Sequence, residues 1–566
     1  MISKEDNYFW TINHLSNINM KYLSYLFLLI ILPLSGTPLF AQKNKNIVYA
    51  AKPKLVLGIM IDQMRYDYLY RYYAKYSEGG FKRLMNQGFN CKNNHYHYAS
   101  TITGPGHAAV YTGSIPAVNG IIGNEWYDPL ANRSVYVAED TTARAVGTEA
   151  TATEGKRSPV NMHTSTITDQ LKLATSFRSK VIGIAVKDRG GILPAGHSAD
   201  AAYWFDSKSG NWISSTYYMK ELPKWLQDFN AQKLPEKLMA KKWETLLPIE
   251  QYTESEEDNQ EYENVLSGEK LPVFPHTVSN NGALLTSPYG NTITKELTLA
   301  TLKNEAMGKG KETDFLCVSF STPDYVGHAT GTHSIEIEDT YLRLDRDIAE
   351  ILNNLDATLG KNNYLVFLTA DHGVTDIAGF LKKHKIPSGV LELTKEINYL
   401  NGQMVEKFGE GKWIKAQDNY QLYLDHELMA KKNVTMSQVY DLVKEKMFVL
   451  GSSIYQVVNL HDINSASIPP FYKPLIENIY NPKRSGDIML LFEPSWYSGS
   501  KKGTTHGTMW QSDRHVPLLW YGWKIPQGET VEQTYISDIA ATLAALLNIL
   551  EPNGCVGKPI KDIFVK

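Results

Sequence analysis

Cysteine is scarce in this chain, with Cys91, Cys317 and Cys555 as the three examples among 566 residues. Three thiols allow one disulfide at most, and the sequence has no CxxC pair. Neither a disulfide framework nor a cysteine-rich metal site therefore organises the fold. Cys317 lies in an apolar stretch and is predicted to be buried, while pairing of Cys91 with Cys555 stays open.

An excess of charge of either sign is also missing. Lys and Arg number 57, Asp and Glu number 60, and the formal net charge is −3. Such a balance provides no broad basic surface for nucleic acid or an anionic membrane, so we expect neither as a partner. With 43% hydrophobic and 21% charged residues, the composition is that of a globular protein with a substantial core.

Long apolar runs are confined to one stretch near the N-terminus. Residues 22–32 are almost all apolar, follow Met20 and Lys21, and are succeeded by small residues up to Ala41. This order is typical of an export signal peptide. We predict a signal peptide region over 1–41, a translation start at Met20 and a periplasmic or secreted protein without stable membrane insertion. An uncleaved N-terminal anchor is the alternative.

Four apolar runs that each lead into polar residues indicate buried parallel strands, at 54–61, 180–186, 315–320 and 364–370. Because the carboxyl ends of parallel strands meet at one edge of a sheet, the polar residues that follow should converge. A further strand is predicted at 516–521, and helices at 335–355 and 536–550. The sequence predicts an α/β fold with a mostly parallel central sheet flanked by helices.

Two regions depart from this alternation, at about 205–295 and about 376–500. The first is rich in Trp, Tyr, Lys and Pro and contains the acidic run 254–258, which we interpret as a solvated face. The second contains short strands and a predicted helix around 437–447. We predict one catalytic domain over 50–566, with these regions as inserted cap segments beside the site.

A hydroxyl precedes a predicted helix start in the motif Ser-Thr-Ile-Thr-Gly-Pro-Gly-His, residues 100–107. Thr103 stands before Gly104-Pro105-Gly106, where the backbone can turn and a helix can begin. The unpaired N–H groups and the positive end of such a helix suit a phosphate group. A threonine before Gly-Pro is more often a plain turn, so this motif alone does not decide a function.

Carboxylates and imidazoles follow the predicted strands. Asp324 and His328 are four residues apart, a spacing that places both on one face of a helix, where they can bind one metal ion. Singly, a strand-end aspartate is more often a cap and a loop histidine more often solvated. Together, at one sheet edge, they indicate a two-metal hydrolytic site. The other candidates follow strand ends or lie in a Gly-flanked loop: Asp62, Asp371, His372 and His506.

In chain order, these motifs resemble those of the alkaline phosphatase superfamily, and more narrowly of the PafA-type bacterial alkaline phosphatases. That group is related to the type I nucleotide pyrophosphatase/phosphodiesterases. The resemblance extends over most of 50–566 and includes the unusual strings Thr-Gly-Pro-Gly-His and Ala-Asp-His-Gly. The residues that carry it are Asp62, Thr103, Asn124, Lys187, Arg189, Asp324, His328, Asp371, His372, Gly373 and His506.

The resemblance implies an exported hydrolase of small phosphate monoesters, of broad substrate range, that scavenges phosphate. It implies Thr103 as a nucleophile that becomes a phosphothreonine, contacts from Asn124, Lys187 and Arg189 to phosphate oxygens, and a structural role for His107. It also implies two zinc ions, although the donor set admits manganese or cobalt. The implied ligands are Asp324, His328 and His506 for one ion, and Asp62, Asp371, His372 and Thr103 for the other.

Charge favours a monoester. Two zinc ions neutralise the three carboxylates and a Thr103 alkoxide, which leaves Lys187 and Arg189 to match a monoester dianion better than a diester monoanion.

Gly104 departs from the bulkier residue of many relatives and predicts a looser turn. A phosphodiesterase or phosphonate hydrolase of the same superfamily is one alternative, and a non-catalytic metal- or phosphate-binding protein is another. We expect a monomer.

Overall fold

The computed structural model describes residues 51–449 and 453–564, so the predicted signal peptide region over 1–41 lies outside the described residues. Its strands, numbered in chain order, are β1 (Leu55–Ile61), β2 (Phe89–His95), β3 (Glu125–Asp128), β4 (Arg133–Tyr136), β5 (Ala145–Val146), β6 (Val181–Ala185), β7 (Ala201–Asp206), β8 (Asn211–Ser215), β9 (Lys242–Trp243), β10 (His276–Thr277), β11 (Asp314–Phe320), β12 (Tyr364–Thr369), β13 (Gly389–Leu391), β14 (Ile414–Asp418), β15 (Gln421–Leu424), β16 (Ile454–Asn459), β17 (Ile488–Phe492), β18 (Trp496–Ser498), β19 (Leu518–Gly522) and β20 (Gly528–Tyr535).

The α-helices, numbered in the same way, are α1 (Tyr68–Arg71), α2 (Phe81–Gln87), α3 (Thr103–Thr112), α4 (Pro116–Asn119), α5 (Ile167–Ala174), α6 (Asp188–Ala195), α7 (Lys224–Asn230), α8 (Leu234–Met239), α9 (Asn281–Leu285), α10 (Tyr289–Asn304), α11 (Thr322–Thr330), α12 (Ile335–Leu359), α13 (Ala378–Lys383), α14 (Leu393–Phe408), α15 (His426–Lys431), α16 (Met436–Val449), α17 (Lys473–Glu477), α18 (Gln511–Arg514) and α19 (Asp538–Leu547). Short 3₁₀ turns lie at Tyr73–Lys75, Thr153–Gly155, Ile249–Gln251, Ile463–Ser465 and Lys561–Ile563.

A ten-stranded sheet forms the centre of the molecule, in the order β20-β2-β19-β12-β1-β11-β6-β7-β8-β5. The five central strands from β12 to β7 are parallel to one another, and β19 and β8 join this block in antiparallel orientation. Every residue of β1, β6, β11 and β12 is buried, as expected for parallel strands covered on both faces. The predicted α/β fold with a mostly parallel sheet is confirmed.

The four predicted strands are neighbours in this sheet, in the order β12-β1-β11-β6. Their carboxyl ends therefore open onto one edge, which is where ligands bind in open α/β sheets. The long helix α12 begins as predicted at Ile335, with Ser334 accepting a hydrogen bond from the Ile337 N–H, and ends before Gly360 at φ 85°. Helix α19 begins at Asp538 rather than Ile536, because the Asp538 carboxylate accepts the Tyr535 N–H.

The region 376–500 contains a second sheet, in the order β14-β15-β17-β16, which we call the cap sheet. Apolar side chains of its strands, among them Leu422, Ile488 and Leu490, pack with residues of α14 and α16 in a hydrophobic cluster of their own. The region 205–295 is different in kind, since it starts inside β7 and contributes β8 to the central sheet. Its other elements before α10 are short.

The turn between β14 and β15 contacts two loops at the carboxyl edge of the main sheet. Asn419 and Tyr420 occupy left-handed backbone conformations there, with φ of 53° and 61°. The Asn419 side chain donates to the Glu125 carbonyl at 2.7 Å, and the Tyr420 hydroxyl donates to the His506 carbonyl at 3.3 Å. The cap sheet is thereby hydrogen-bonded to two loops of the predicted site.

All three cysteines are free thiols, with Cys91 and Cys317 buried and Cys555 partly exposed. Cys91 and Cys555 therefore do not form the disulfide that the sequence left open. The burial predicted for Cys317 is confirmed. Within residues 51–449 and 453–564, no helix has the length and apolar content needed to cross a membrane.

Candidate active site

Thr103 is the first residue of α3, and every residue of this helix is buried. The helix begins here because Ile102 is extended and Pro105 falls in the first turn, where its missing N–H leaves no partner unsatisfied. Gly106 allows the helix to lie directly on the end of β12, since a Cβ atom at this position would stand 2.2 Å from the Asp371 carbonyl oxygen. The candidate nucleophile is therefore held against the strand that carries candidate metal ligands.

The turn around Gly104 is closely packed. Its N–H donates to Asn124 Oδ1 at 2.8 Å, which leaves the Asn124 NH₂ group to donate elsewhere. A Cβ at Gly104 would lie 3.0 Å from the Gly123 carbonyl and 3.2 Å from Asn124 Oδ1. The looser turn predicted from glycine at this position stays a prediction, and the hydrogen bond to Asn124 is a contact that would oppose it.

One set of candidate metal ligands follows the adjacent strands β1 and β12. Asp62, Asp371 and His372 are fully buried, and their ligand atoms lie within 4.8 Å of one another. His372 Nε2 is 3.5 Å from Asp62 Oδ1 and 3.6 Å from Asp371 Oδ2. The same nitrogen lies 3.5 Å from Thr103 Oγ1, so the threonine hydroxyl belongs to this set.

The second set combines α11 with the loop before α18. Asp324 Oδ1 lies 3.1 Å from His328 Nε2 and 3.5 Å from His506 Nε2. The spacing of Asp324 and His328 falls within one helix, as predicted. The imidazole rings of His506 and His372 stack with centroids 3.5 Å apart, so the two sets are adjacent.

All three candidate histidine ligands are oriented by the main chain. In each, Nδ1 is hydrogen-bonded to a backbone carbonyl, which directs Nε2 to the carboxylates, as is usual for metal-binding histidines. The pairs are His328 with Thr504 at 2.8 Å, His372 with Gly373 at 2.9 Å and His506 with Thr101 at 2.7 Å.

Lys187 joins the two sets in the structure. Its ammonium group donates to Asp62 Oδ2 at 2.7 Å and to Asp324 Oδ2 at 2.5 Å, and it is 5.0 Å from the ring centre of Tyr325. Lys187 is 6% exposed, so this positive charge lies inside the site. Asp371 contributes a third carboxylate that the lysine does not contact.

The three carboxylates differ in their ionisation. Burial, reinforced by the charge of Asp324, raises the pKa of Asp62, and burial together with Asp62 raises the pKa of Asp371 well above its usual range. Burial alone would also raise the pKa of Asp324, but His328 and Lys187 hold it well below its usual range. The charge of Lys187 does not offset the burial of Asp62 and Asp371, which is a reason for a further cation to bind there.

These residues fit a metal cofactor. Asp62 Oδ1 and Asp371 Oδ2 are buried oxygens that accept no hydrogen bond from the described residues. Burial and the neighbouring His506 lower the pKa of His372 well below its usual range, so that its imidazole is neutral, the form that binds metals. Carboxylate, imidazole and hydroxyl donors at these positions suit zinc and related divalent ions.

Arg189 lies beside this centre at the start of α6. Its Nη1 donates to the Tyr136 hydroxyl at 3.2 Å, and the same hydroxyl donates to Asp188. Asp188 in turn accepts from Arg157 Nε at 2.6 Å. The Arg189 Nε atom is buried and has no hydrogen-bond partner among the described residues. Its guanidinium is thus fixed on one side and keeps donors for an anion.

The structure brings all the predicted site residues to one edge of the sheet, and it adds others that the sequence did not indicate. Gln63 donates its N–H to Asp371 Oδ1 at 3.1 Å and its Nε2 to Asp324 Oδ1 at 2.8 Å, and so ties the two sets together. The position of Gln63 directly after Asp62 was the sequence feature that could have identified it. For Tyr136, no signal existed in the sequence. His107, predicted to be structural, bonds to the Thr103 carbonyl and to Ser319 Oγ.

Residues 56–517 match the family model of type I phosphodiesterase / nucleotide pyrophosphatase, which is more than half of the chain. The chain belongs to this family. Within it, the chain is 47% identical over 547 residues to the alkaline phosphatase PafA of Elizabethkingia meningoseptica, covering 95% of this chain and 98% of that protein. It is 44% identical to the alkaline phosphatase PhoV of Synechococcus elongatus, covering 91% and 93%.

The fold of this family member is also that of a solved structure. The crystal structure of wild-type alkaline phosphatase PafA superposes with a TM-score of 0.88 at 47% sequence identity, covering 92% of this chain and all of that one. The resemblance to PafA-type alkaline phosphatases is confirmed, and with it the prediction of a phosphate monoester hydrolase. A metal cofactor is supported by the alkaline phosphatase relatives and by the two sets of candidate ligands.

Proposed function

We propose that this family member hydrolyses small phosphate monoesters with Thr103 as the nucleophile. The observation that carries the proposal is the position of Thr103 Oγ1, at the N-terminus of α3 and 3.5 Å from His372 Nε2. The start of α3 carries the positive end of the helix dipole, which favours an incoming phosphate, and Lys187 and Arg189 add full positive charges. A hydroxyl at this point can attack a phosphorus atom that those groups hold.

Two zinc ions complete the proposed site. Asp62, Asp371, His372 and Thr103 would hold one ion, and Asp324, His328 and His506 would hold the other. Bound divalent metal lowers the pKa of coordinated hydroxyl groups and neutralises oxygen atoms that gain charge during displacement. Lys187 lies within hydrogen-bond distance of Asp62 and Asp324, and with His328 it holds the pKa of Asp324 well below its usual range, so that this ligand is ionised.

The reaction consists of two displacements at phosphorus. In the first, Thr103 Oγ loses its proton and forms a P–O bond, while the bond from phosphorus to the ester oxygen breaks and the alcohol departs with a proton. In the second, water adds to the phosphothreonine and the P–Oγ bond breaks, which returns the hydroxyl and releases inorganic phosphate. Asn124 fixes the Gly104 N–H and thereby the orientation of the attacking residue.

Arg189 favours monoesters over diesters. Its guanidinium is braced by Tyr136, and the Lys187 ammonium lies at the carboxylates of Asp62 and Asp324, so we expect both positive charges to act on the non-bridging oxygens. A monoester dianion gains more from these charges than a diester monoanion does. A diesterase of the same family remains the second candidate, favoured by the family to which residues 56–517 belong.

Export and phosphate scavenging are part of the same proposal. They rest on the signal-like segment within 1–41 and on the similarity to bacterial alkaline phosphatases. Release of inorganic phosphate from varied esters outside the cytoplasm is the role that such a site serves.

The test compares the wild-type protein, Thr103→Ala and a control, Thr112→Ala, which removes another buried threonine hydroxyl of α3. Steady-state hydrolysis of p-nitrophenyl phosphate and bis-p-nitrophenyl phosphate by the zinc-loaded proteins gives the ester preference. We expect a strong monoester preference, lost in Thr103→Ala and kept in Thr112→Ala. Faster turnover of the diester would overturn the charge argument, and zinc binding without turnover of either ester would indicate a binding protein.

The intermediate needs a separate measurement. Acid quenching during turnover, followed by peptide mass spectrometry, should find a phosphoryl group on Thr103. A phosphoryl group on another residue, or full activity of Thr103→Ala, would remove Thr103 from the mechanism.

A further inference from the structure

Two histidines and an aspartate converge in the cap sheet, away from the active site. His426 is the first residue of α15, His461 follows β16 and Asp487 precedes β17. Asp487 Oδ1 lies 2.7 Å from His426 Nε2 and 2.8 Å from His461 Nε2. The two imidazole rings are almost perpendicular, with centroids 6.5 Å apart. Two ring nitrogens from different elements therefore point at one carboxylate oxygen.

The aspartate is fixed by the backbone around it. Asp487 is 6% exposed, its Oδ2 accepts the Leu424 N–H at 2.8 Å, and its own N–H donates to the Leu422 carbonyl at 2.8 Å. These bonds leave Oδ1 for the two histidines.

His461 is oriented in the way usual for metal-binding histidines. The Tyr480 hydroxyl lies 3.4 Å from His461 Nδ1, and the backbone N–H of His461 donates to Asn459 Oδ1 at 3.0 Å. A partner at Nδ1 fixes the ring and leaves Nε2 as the ligand atom. The side chains of His426 and His461 are 61% and 48% exposed, so the cluster is open to ions in solution.

We propose that His426, His461 and Asp487 form a third metal site, which takes a divalent transition-metal ion of the zinc class. Two imidazoles and one carboxylate are a donor set typical of zinc, with a fourth position left to water. The three ligand atoms lie within 4.8 Å of one another, while tetrahedral zinc with bonds of ~2.0–2.1 Å needs them roughly 3.3 Å apart. Half-exposed histidines can move outward by the required half ångström or so.

The site would act on structure rather than on catalysis. His461 and Asp487 stand at the two ends of the segment 462–486, so one ion bound to both closes this segment. Inside the segment, the Leu475 carbonyl accepts the Ala99 N–H at 2.8 Å, close in sequence to Thr103. Metal at the third site would therefore stabilise the segment 462–486 in the folded protein, without touching substrate or the catalytic residues.

Metal content of the full-length protein tests this proposal. The wild type, His461→Ala and Asp487→Asn are equilibrated with micromolar free zinc, freed of excess metal and measured by elemental mass spectrometry. His384→Ala is the matched control, because His384 has a side-chain exposure of 50% and pairs with the single carboxylate Glu256. We expect the two variants to hold one zinc ion per chain less than the wild type and the control.

Affinity at the third site should fall by more than the roughly 10–100-fold that loss of an outer partner costs. Hydrolysis of p-nitrophenyl phosphate should be unchanged in both variants, which separates this site from the catalytic metals and shows that the variants fold. Equal zinc content in all four proteins would overturn the proposal and leave the cluster as a hydrogen-bonded trio. Zinc loss accompanied by loss of activity would also overturn it, because the ions lost would then be catalytic ones.

Discussion

Gly106→Ala should disable the active site, although the substitution adds only one methyl group. The added Cβ would stand 2.2 Å from the Asp371 carbonyl oxygen and 2.8 Å from its Cα, whereas ordinary contacts begin near 3.4 Å. Both partners are backbone atoms, so no side chain can rotate away. Either α3 or the end of β12 has to retreat by about 1 Å, and Thr103 moves relative to Asp371 and His372.

The magnitude follows from two opposed effects. Alanine is favoured over glycine inside a helix by ~0.5–1 kcal/mol, while overpacking of a dense core costs ~1–3 kcal/mol. We expect a net loss of about 1–2 kcal/mol in the free energy of unfolding. Displacement of a reacting group by ~1 Å can cost on the order of 100-fold in rate, and we expect a fall of that order in kcat/KM.

Gly402→Ala is the matched control for this substitution. Gly402 is also helical, in α14, and no atom lies within 4 Å of the position that its Cβ would take. It should gain up to ~1 kcal/mol and keep full activity. Denaturant unfolding and turnover of p-nitrophenyl phosphate are measured on both variants. If Gly106→Ala matches Gly402→Ala in stability and rate, α3 does not rest on the end of β12 in the way described.

Three further predictions concern the anchors of the site, its metals and a buried carboxyl. Tyr136→Phe removes the hydroxyl that accepts a hydrogen bond from Arg189 and should lower kcat/KM for the monoester about 10- to 100-fold. The control is Tyr127→Phe, whose hydroxyl donates to Asn132 on the same β-hairpin, and there we expect little change. Equal losses in both variants would show that Tyr136 does not position Arg189. Removal of metal by a chelator should abolish turnover and lower the Tm, because Asp62 and Asp371 then stay buried without a cation. Added zinc should restore both turnover and Tm. A chelated protein that stays active would contradict this. Burial and the charge of Glu336 raise the pKa of Glu263 to about 9, so this carboxyl costs stability increasingly as pH rises from its unfolded-state pKa toward 9. The Tm of Glu263→Gln should therefore exceed that of the wild type by a margin that grows between pH 5 and pH 8.5, whereas exposed Glu261→Gln should show no such trend.

The candidate metal ligands could be predicted to lie together because parallel strands impose their geometry on the sequence. Asp62 and Asp371 each follow an apolar run, and the sheet order makes those runs neighbours. The partner of Arg189 was not predictable in this way. Tyr136 lies on β4, a strand of the small β3–β4 hairpin outside the main sheet, and only tertiary packing brings its hydroxyl to the guanidinium.

The inserted regions show the same limit. Irregular composition over 205–295 and 376–500 predicted departures from the strand–helix alternation, but it did not predict that β8 would extend the central sheet. Periodicity in a short strand such as β8 indicates a pleated surface and not the partner strand. The cap sheet also has its own hydrophobic cluster, a property of packing that no single motif encodes.

The turn at Asn419 and Tyr420 has a bearing on how such an enzyme can change over evolutionary time. Regions inserted into a common scaffold are usually regarded as exchangeable modules that can be lost or replaced while the chemistry persists. Here the turn of the cap sheet holds the carbonyl of His506, a candidate metal ligand, and the strand that follows Asn124. A lineage that lost this region would lose support for both residues at once, so we expect substrate range to diversify through the surface of the cap sheet rather than through its exchange.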